Sequence, residues 1–457
     1  MKKKYNLLVK NIGLFTIGSF GSKLVSFFMV PLYTAILRTS DYGTVDLIYS
    51  TISMLTPILL LSIQDATLRF GMDPQYQKED VISTTFGVIF KGSLILLLGL
   101  VLTRVFGMVS LSNTYYFFFF FTFVIGAMNN CLSLYLKAKN EASIIAVSGI
   151  LCTVFTCLGN FLLLVVFKLG IDGYMLANAI GLGVQFLYQF LVGKTYKDIH
   201  FRNYNNISKP MIKYSTPLIS NSIAWWVNNA SDRYILTWIS GVAVNGIYSI
   251  SYKIPTILTM FQSIFYNAWS ISAISEFDKE DLDGFIGHNY RLYSFVSIGV
   301  CSVLLLFNIP LAGLLYSGEY FQAWKCVPFL LVGTVFNGIS QFEGALFAAV
   351  KKTKKVSITT VTGAVMNTIL NLVMIPYFGA VGAAFSTMLG YLVMWVLRTI
   401  FVREFICMKV DWAKHGLAIG CLIVQAVLTT CNVFLPVQVL LVAVILLLHS
   451  NEMYRKK

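Results

Sequence analysis

The chain has 457 residues, 57% of them hydrophobic and only 12% charged, with a mean hydropathy of +0.74 and a net charge of +14. Soluble domains carry roughly 25% charged residues, so there is too little charge here to cover the two or three domains that a soluble chain of this length would form. Long apolar runs recur from residue 11 to residue 449, which excludes a soluble enzyme, a nucleic-acid-binding domain and a disulfide-stapled secreted module, and points to an all-α integral membrane protein.

In chain order, the runs place transmembrane helices near 11–36, 43–66, 81–105, 115–136, 142–167 and 171–192. After a polar link come 211–238, 245–270, 288–312, 324–350, 356–377 and 379–401, and then a last pair near 413–433 and 435–449. These lengths answer to the ~20 residues that a hydrocarbon layer about 30 Å thick requires. The pattern predicts 14 spans: an N-terminal six-helix lobe over 1–200, a C-terminal six-helix lobe over 201–402, and a helix pair over 403–457. Met1 and the three lysines after it precede a run too long and too polar for a signal peptide, so that run is read as a span.

Loop charge orients the array. On the side of the N-terminus the loops hold 26 Lys and Arg residues, including Lys2–Lys4, Lys351, Lys352, Lys354, Lys355, Arg398 and Arg403; the opposite side holds four, Arg38, Arg104, Lys168 and Lys325. Cytoplasmic loops collect Lys and Arg, so both termini are expected in the cytoplasm, and topology accounts for the net charge without any nucleic acid. The eight cysteines form no CxxC pair and mostly lie inside apolar runs, where they read as small buried hydrophobes. The four histidines form no cluster and no loop exceeds about 20 residues, so no catalytic residue, metal site or cofactor is expected and any activity belongs to the helices.

The two halves echo each other. Gly170-Ile-Asp-Gly173 followed by Gly181 reads against Gly379-Ala-Val-Gly382 followed by Gly390 at identical spacing, and Asn160 upstream has a counterpart in Asn371. Asp41-Tyr-Gly43 likewise echoes Asn245-Gly246, each opening a second span. An even number of spans per copy gives both copies the same orientation, the arrangement in which a transporter holds substrate between its repeats.

Ionisable groups inside spans cost about 2.5–3.5 kcal/mol each at a helix centre, so they are expected to face a cavity or a partner. Lys23 shares a polar stripe with Thr16, Ser19 and Ser26. In the seventh span Ser222, Trp226, Asn229 and Arg233 share a face beside Asn221, Trp225, Asn228 and Asp232, with a kink near Pro217. In the eighth, Ser249, Lys253, Thr256 and Ser263 line up, and Pro255 loosens the backbone beside the lysine. Lys23 and Lys253 read as cavity residues; Arg233 suits either a ligand or an acid such as Asp46. Lys91 reads as structural, Asp65 and Arg69 as a local ion pair, and Glu343, near Asn337 and Gln341, as a proton or cation site or a satisfied buried acid. Deep cations on both halves suit an anionic substrate such as a diphosphate.

Three stretches carry a family resemblance: Gly18-Ser-Phe-Gly-Ser-Lys23 with Pro31 through Gly43, Tyr214 through Leu236, and Gly246 through Pro255. They resemble the corresponding helices of Wzx-type polysaccharide flippases, in the multidrug/oligosaccharidyl-lipid/polysaccharide exporter superfamily. The resemblance implies two six-helix lobes in a V shape with two extra C-terminal helices. It also implies alternating access, moving an undecaprenyl-diphosphate-linked oligosaccharide across the bacterial cytoplasmic membrane for surface polysaccharide assembly. By comparison with related lipid II flippases, Lys23, Asp46 and Lys253 occupy places that matter, with Lys where the relatives usually carry Arg. The substrate contacts expected are Lys23, Arg233, Lys253, Asn229, Trp225 and Trp226, with Asp46, Asp232 and Glu343 in coupling or gating. Membrane lipids and polysaccharide polymerase machinery are the expected partners. The competing readings are a drug/cation antiporter of the same superfamily and, from another class, a membrane-embedded polysaccharide polymerase or ligase, which wants a sizeable outer loop that the sequence lacks.

Overall fold

The computed structural model describes residue 25 and residues 27–453 apart from 109–110, 201–204, 276–278, 282–283, 351, 409 and 433–434; Lys23 and its stripe partners Thr16, Ser19 and Ser26 lie outside the described residues. All regular elements among the described residues are helical. They run α1 (Val30–Ile36), α2 (Thr39–Leu59), α3 (Ile63–Gly71), α4 (Lys78–Val105), α5 (Asn113–Ala138), α6 (Ala142–Asn160), α7 (Gly170–Val192), α8 (Asn205–Ser215) and α9 (Leu218–Ser240). Then follow α10 (Val242–Ser251), α11 (Lys253–Ser275), α12 (Phe285–Leu306), α13 (Asn308–Leu315), α14 (Val327–Ala349), α15 (Thr353–Val402), α16 (Trp412–Thr430) and α17 (Leu435–Met453). Among the described residues seven helices are long and apolar enough to cross a membrane, or nine if each of two bent pairs is one crossing, so the chain is a multi-pass membrane protein.

Local chemistry sets the helix ends. Glu79 and Asp80 in the first turn of α4 and Arg104 in its last complement the helix dipole. Asp411 caps α16, accepting from the Lys414 backbone N–H at 3.3 Å. The run expected as one helix over 211–238 is split into α8 and α9 at Pro217, and the run over 245–270 is split into α10 and α11 at Tyr252, next to Lys253 and Pro255. The run expected over 43–66 breaks four and five residues past Pro57, which itself lies inside α2. Leu61 and Ser62 take left-handed backbone (φ 52° and 50°), and α3 leaves α2 at 59°.

The described chain forms two compact units. The first holds the described residues up to Leu37 together with Val45–Trp226; the second holds Arg38–Thr44 and everything from Val227 onward. The repeated glycines do the same work in each. Gly170 (φ +57°) turns the chain through the left-handed region into α7, and Gly379 (φ +53°) does so inside α15, dividing it into two helical segments. In the first unit a Cβ on Gly181 would lie 1.9 Å from Thr156 Oγ1 and 2.9 Å from the Cys152 carbonyl oxygen; in the second, one on Gly390 would lie 2.8 Å from Asn367 Cβ and 3.0 Å from the Gly363 carbonyl oxygen. Both pairs of helices approach backbone to backbone because only hydrogen stands between them. Within the second unit, Gly43 and Gly246 show a reciprocal crossing: a Cβ on Gly43 would meet the Val242 carbonyl oxygen at 2.1 Å, and one on Gly246 the Thr39 carbonyl oxygen at 2.0 Å.

Two electrostatic expectations are corrected. Arg69 pairs with Asp73 at 3.5 Å rather than with Asp65, whose side chain is exposed. Arg398, counted above as a loop cation, is only 2% exposed within α15. Its guanidinium donates to Thr359 Oγ1 at 3.2 Å, the Ser340 carbonyl at 2.7 Å and Thr360 Oγ1 at 2.9 Å. α15 continues to Val402, so the arginine meets the interior of its lobe before the chain reaches a loop.

Candidate functional site

Inside the second unit a cavity of about 230 Å³ opens among α9, α11, α12, α14 and α15. Helical spacing builds its walls. Thr256, Thr259, Ser263 and Tyr266 on α11 recur three and four residues apart, as do Thr334, Asn337 and Gln341 on α14, so each helix turns one polar face inward. Asn229 enters from α9, Tyr293 from α12, and Thr387 and Tyr391 from α15. Tyr391 Oη donates to Asn229 Oδ1 at 3.1 Å, and Gln262 Nε2 donates to the Thr334 carbonyl at 3.2 Å. Asn337 Oδ1 is sealed from solvent and has no hydrogen-bond partner among the described residues. At Gly338 a Cβ would stand 2.3 Å from Gln262 Nε2 and 2.7 Å from Tyr293 Oη, so a side chain there would push on two wall residues.

Two of the wall residues, Tyr252 and Thr387, also belong to a network behind it. Asp232 on α9 is only 3% exposed. Its Oδ2 accepts from Tyr248 Oη at 2.5 Å, Tyr252 Oη at 3.3 Å and Thr387 Oγ1 at 3.4 Å, and its Oδ1 from the Arg233 backbone N–H at 2.9 Å. Asn371 Nδ2 donates to Asn367 Oδ1 at 3.0 Å, and Asn367 Nδ2 to Thr387 Oγ1 at 3.2 Å, carrying the chain of hydrogen bonds across α15. The Arg233 guanidinium lies 5.7 Å from the centre of the Tyr252 ring, a cation–π contact. Burial makes each of these bonds matter, because an ionised or hydroxyl group left alone in this interior would be costly.

The residues singled out from the sequence divide accordingly. Asn229 lines the cavity, and Asp232 and Arg233 stand behind Tyr252. Lys253 is half-buried at the start of α11; its stripe partners Thr256 and Ser263 line the cavity, while the lysine itself is not among the lining residues. Glu343 is fully buried on α14 and accepts from Thr399 Oγ1 at 2.7 Å, with Oε2 unpartnered among the described residues. It sits two residues past Gln341 and therefore off the cavity face. In the first unit, Trp226 donates its indole N–H to the Ser50 carbonyl at 2.8 Å, Trp225 is 37% exposed, and Asp46 is half-buried on α2. That unit has its own cavity of about 320 Å³, with Ser53, Thr56, Gln64, Asn130 and Ser222 in its walls. Gln262, Tyr266, Tyr293 and Tyr391 had escaped the sequence reading. Their only signal is three-and-four spacing on apolar helices, which marks a face without saying what it faces. Among the described residues no group of three or more His, Cys, Asp or Glu side chains is placed to hold a metal ion.

A multi-pass helical protein with a duplicated glycine frame, polar cavities inside its lobes and a hydrogen-bonded buried acid has the build of a membrane transporter. The chain belongs to the polysaccharide biosynthesis protein family, whose model matches residues 8–277. In fold it is similar to the lipid II flippase MurJ in an inward closed conformation, with a TM-score of 0.72 over 97% of this chain and 99% of that one at 16% identity. It is also similar to a multidrug resistance MATE family transporter of the MOP superfamily in an inward-facing conformation, with a TM-score of 0.64 over 84% and 94% of the two chains at 14% identity. At such identities the likeness is one of fold. In sequence it is 23% identical over 227 residues to a probable low-salt glycan biosynthesis flippase, Agl15, of Haloferax volcanii, covering 46% of this chain and 47% of that protein. It is 25% identical over 114 residues to an uncharacterized membrane protein of Methanocaldococcus jannaschii, covering 25% and 22%. The chain thus matches less than half the length of either relative.

Proposed function

We propose that this protein is a flippase that moves an undecaprenyl-diphosphate-linked oligosaccharide from the cytoplasmic to the outer leaflet of the bacterial cytoplasmic membrane, by alternating access, for surface polysaccharide assembly. The observation that carries the reading is membership of the polysaccharide biosynthesis family over more than half of the chain. A flippase among its relatives and the loop-charge asymmetry support it, the latter putting both termini in the cytoplasm. In this reading Lys23, Lys253 and Arg233 meet the diphosphate, whose oxygens accept charge-assisted hydrogen bonds, while Trp225, Trp226 and Asn229 face the sugars or the gate. Asp46, Asp232 and Glu343 serve coupling or gating. The polyprenyl tail stays in lipid, the protein makes and breaks no covalent bond, and the product passes to a polysaccharide polymerase.

The test is deletion of the gene followed by analysis of the inner leaflet, where a lipid-linked oligosaccharide should accumulate. Complementation with Lys23→Ala or Lys253→Ala should leave protein in the membrane yet restore less than about a tenth of export, the loss of one charged hydrogen bond to an anion being worth roughly 1.5–3 kcal/mol. Normal export in both variants would remove these lysines from the site. The likeness in fold to MATE transporters favours a second reading, a drug/cation antiporter. Efflux of organic cations without accumulation of lipid-linked sugar would select it.

A further inference from the structure

Building on the flippase reading, we infer that the cavity inside the second lobe is a subsite for one uncharged sugar ring of the transported oligosaccharide. Among the described residues its wall contains no Asp, Glu, Lys, Arg or His. A charged ligand group brought into it would give up its hydration without gaining a counter-charge. The buried carboxylate nearby does not serve a cation there, since Asp232 stands behind Tyr252 and Thr387 and both its oxygens are already engaged.

The wall instead supplies what a neutral sugar needs. Asn229, Gln262, Asn337 and Gln341 bring four side-chain amides to the wall; the Asn229 carbonyl already accepts from Tyr391 and one Gln262 N–H is given to Thr334, and the amide groups that remain suit hydroxyls that both donate and accept. Tyr252, Tyr266, Tyr293 and Tyr391 combine a flat apolar ring with a hydroxyl, which matches a pyranose that has C–H faces and a polar rim. Size limits the occupant. At about 230 Å³ the cavity is smaller than the roughly 300 Å³ at which pockets for drug-sized ligands begin, so it holds a single ring rather than a chain of sugars. Gly338 keeps the space open, because a Cβ there would press on Gln262 and Tyr293.

The experiment uses the full-length protein in lipid nanodiscs and measures binding of three probes: undecaprenyl diphosphate, the same lipid carrying one N-acetylglucosamine, and the same lipid carrying one glucuronic acid. Wild type should bind the N-acetylglucosamine lipid about tenfold more tightly than the bare lipid, and the glucuronic acid lipid no more tightly than the bare one. Asn337→Leu, Gln341→Leu and Gly338→Ala, each confirmed as folded by its melting temperature, should erase the gain from the neutral sugar. A gain that survives in the folded variants, or an equal gain from the acidic sugar in wild type, would overturn the subsite. So would wild type that binds the bare lipid and gains nothing from either sugar, the flippase reading then standing. Wild type that binds none of the three probes overturns the flippase reading and the subsite with it.

Discussion

The two lobes share a frame and differ in what fills it. In the first, Asn160 donates to the Tyr33 hydroxyl at 3.1 Å and to the Thr156 carbonyl at 2.9 Å, and Tyr33 packs edge-on against Tyr174, so the asparagine is tied to an aromatic pair. In the second, Asn371 occupies the matching place, but Asn367 stands where the first lobe has Thr156. The added amide extends the hydrogen bonds through Thr387 to a buried carboxylate. The glycines that bring the helices together recur, while the residue one turn before the asparagine differs: Thr156 offers its backbone carbonyl to Asn160, and Asn367 its side-chain amide to Asn371 and Thr387. A duplicated scaffold can therefore hold its geometry while its halves acquire different electrostatics, because the frame depends on absent side chains and the chemistry on present ones.

The sharpest way to break this comparison is to fill the frame. Gly181→Val and Gly390→Val should each destabilise by roughly 1–3 kcal/mol through overpacking, seen as a lower melting temperature and less protein in the membrane. Only Gly390→Val also displaces Asn367, so at equal abundance it should export less well than Gly181→Val; equal export would mean that the network from Asn367 through Thr387 to Asp232 is not used. Next in size, Asp232→Ala strips the Tyr248 hydroxyl of its acceptor and should cost about 1–3 kcal/mol with loss of export, whereas Asp232→Asn should recover stability and not export. Tyr33→Phe in the first lobe should cost about 1 kcal/mol, because Asn160 keeps its bond to Thr156, and should leave export near normal. Of similar size, Trp226→Phe removes one indole N–H bond to Ser50 while keeping an aromatic ring, for about 0.5–1.5 kcal/mol in thermal melting.

Much of the architecture was legible beforehand. Apolar runs placed the helices, and Gly181 and Gly390, paired in the sequence by their spacing, are both points of close helix approach. Proline announced the interruptions at Pro217 and Pro255. The break at Leu61–Ser62 was not legible, since neither residue prefers the left-handed region it adopts, and only the packing around it can hold it there. Arg69 illustrates the same limit: Asp65 and Asp73 both lie four residues away, and side-chain spacing does not choose between them. The cavity was legible in fragments. Asn229 and the Thr256–Ser263 stripe pointed at it, while Tyr293, Tyr391 and Gln262 read as ordinary members of apolar helices.

Sequence alone determined that this chain lives in a bilayer and how Lys and Arg distribute between its apolar runs. Those properties follow from the free energy of moving each residue between water and hydrocarbon, a quantity that needs no neighbours to define it. Tertiary structure decided which polar faces converge: that five helices in the second lobe surround a neutral cavity, that Asp232 is satisfied by three hydroxyls, and that Arg398 is held inside its lobe rather than in a loop. Convergence depends on helix crossings set by side chains far apart in the chain, and a helix face carries no record of its partner until packing supplies one.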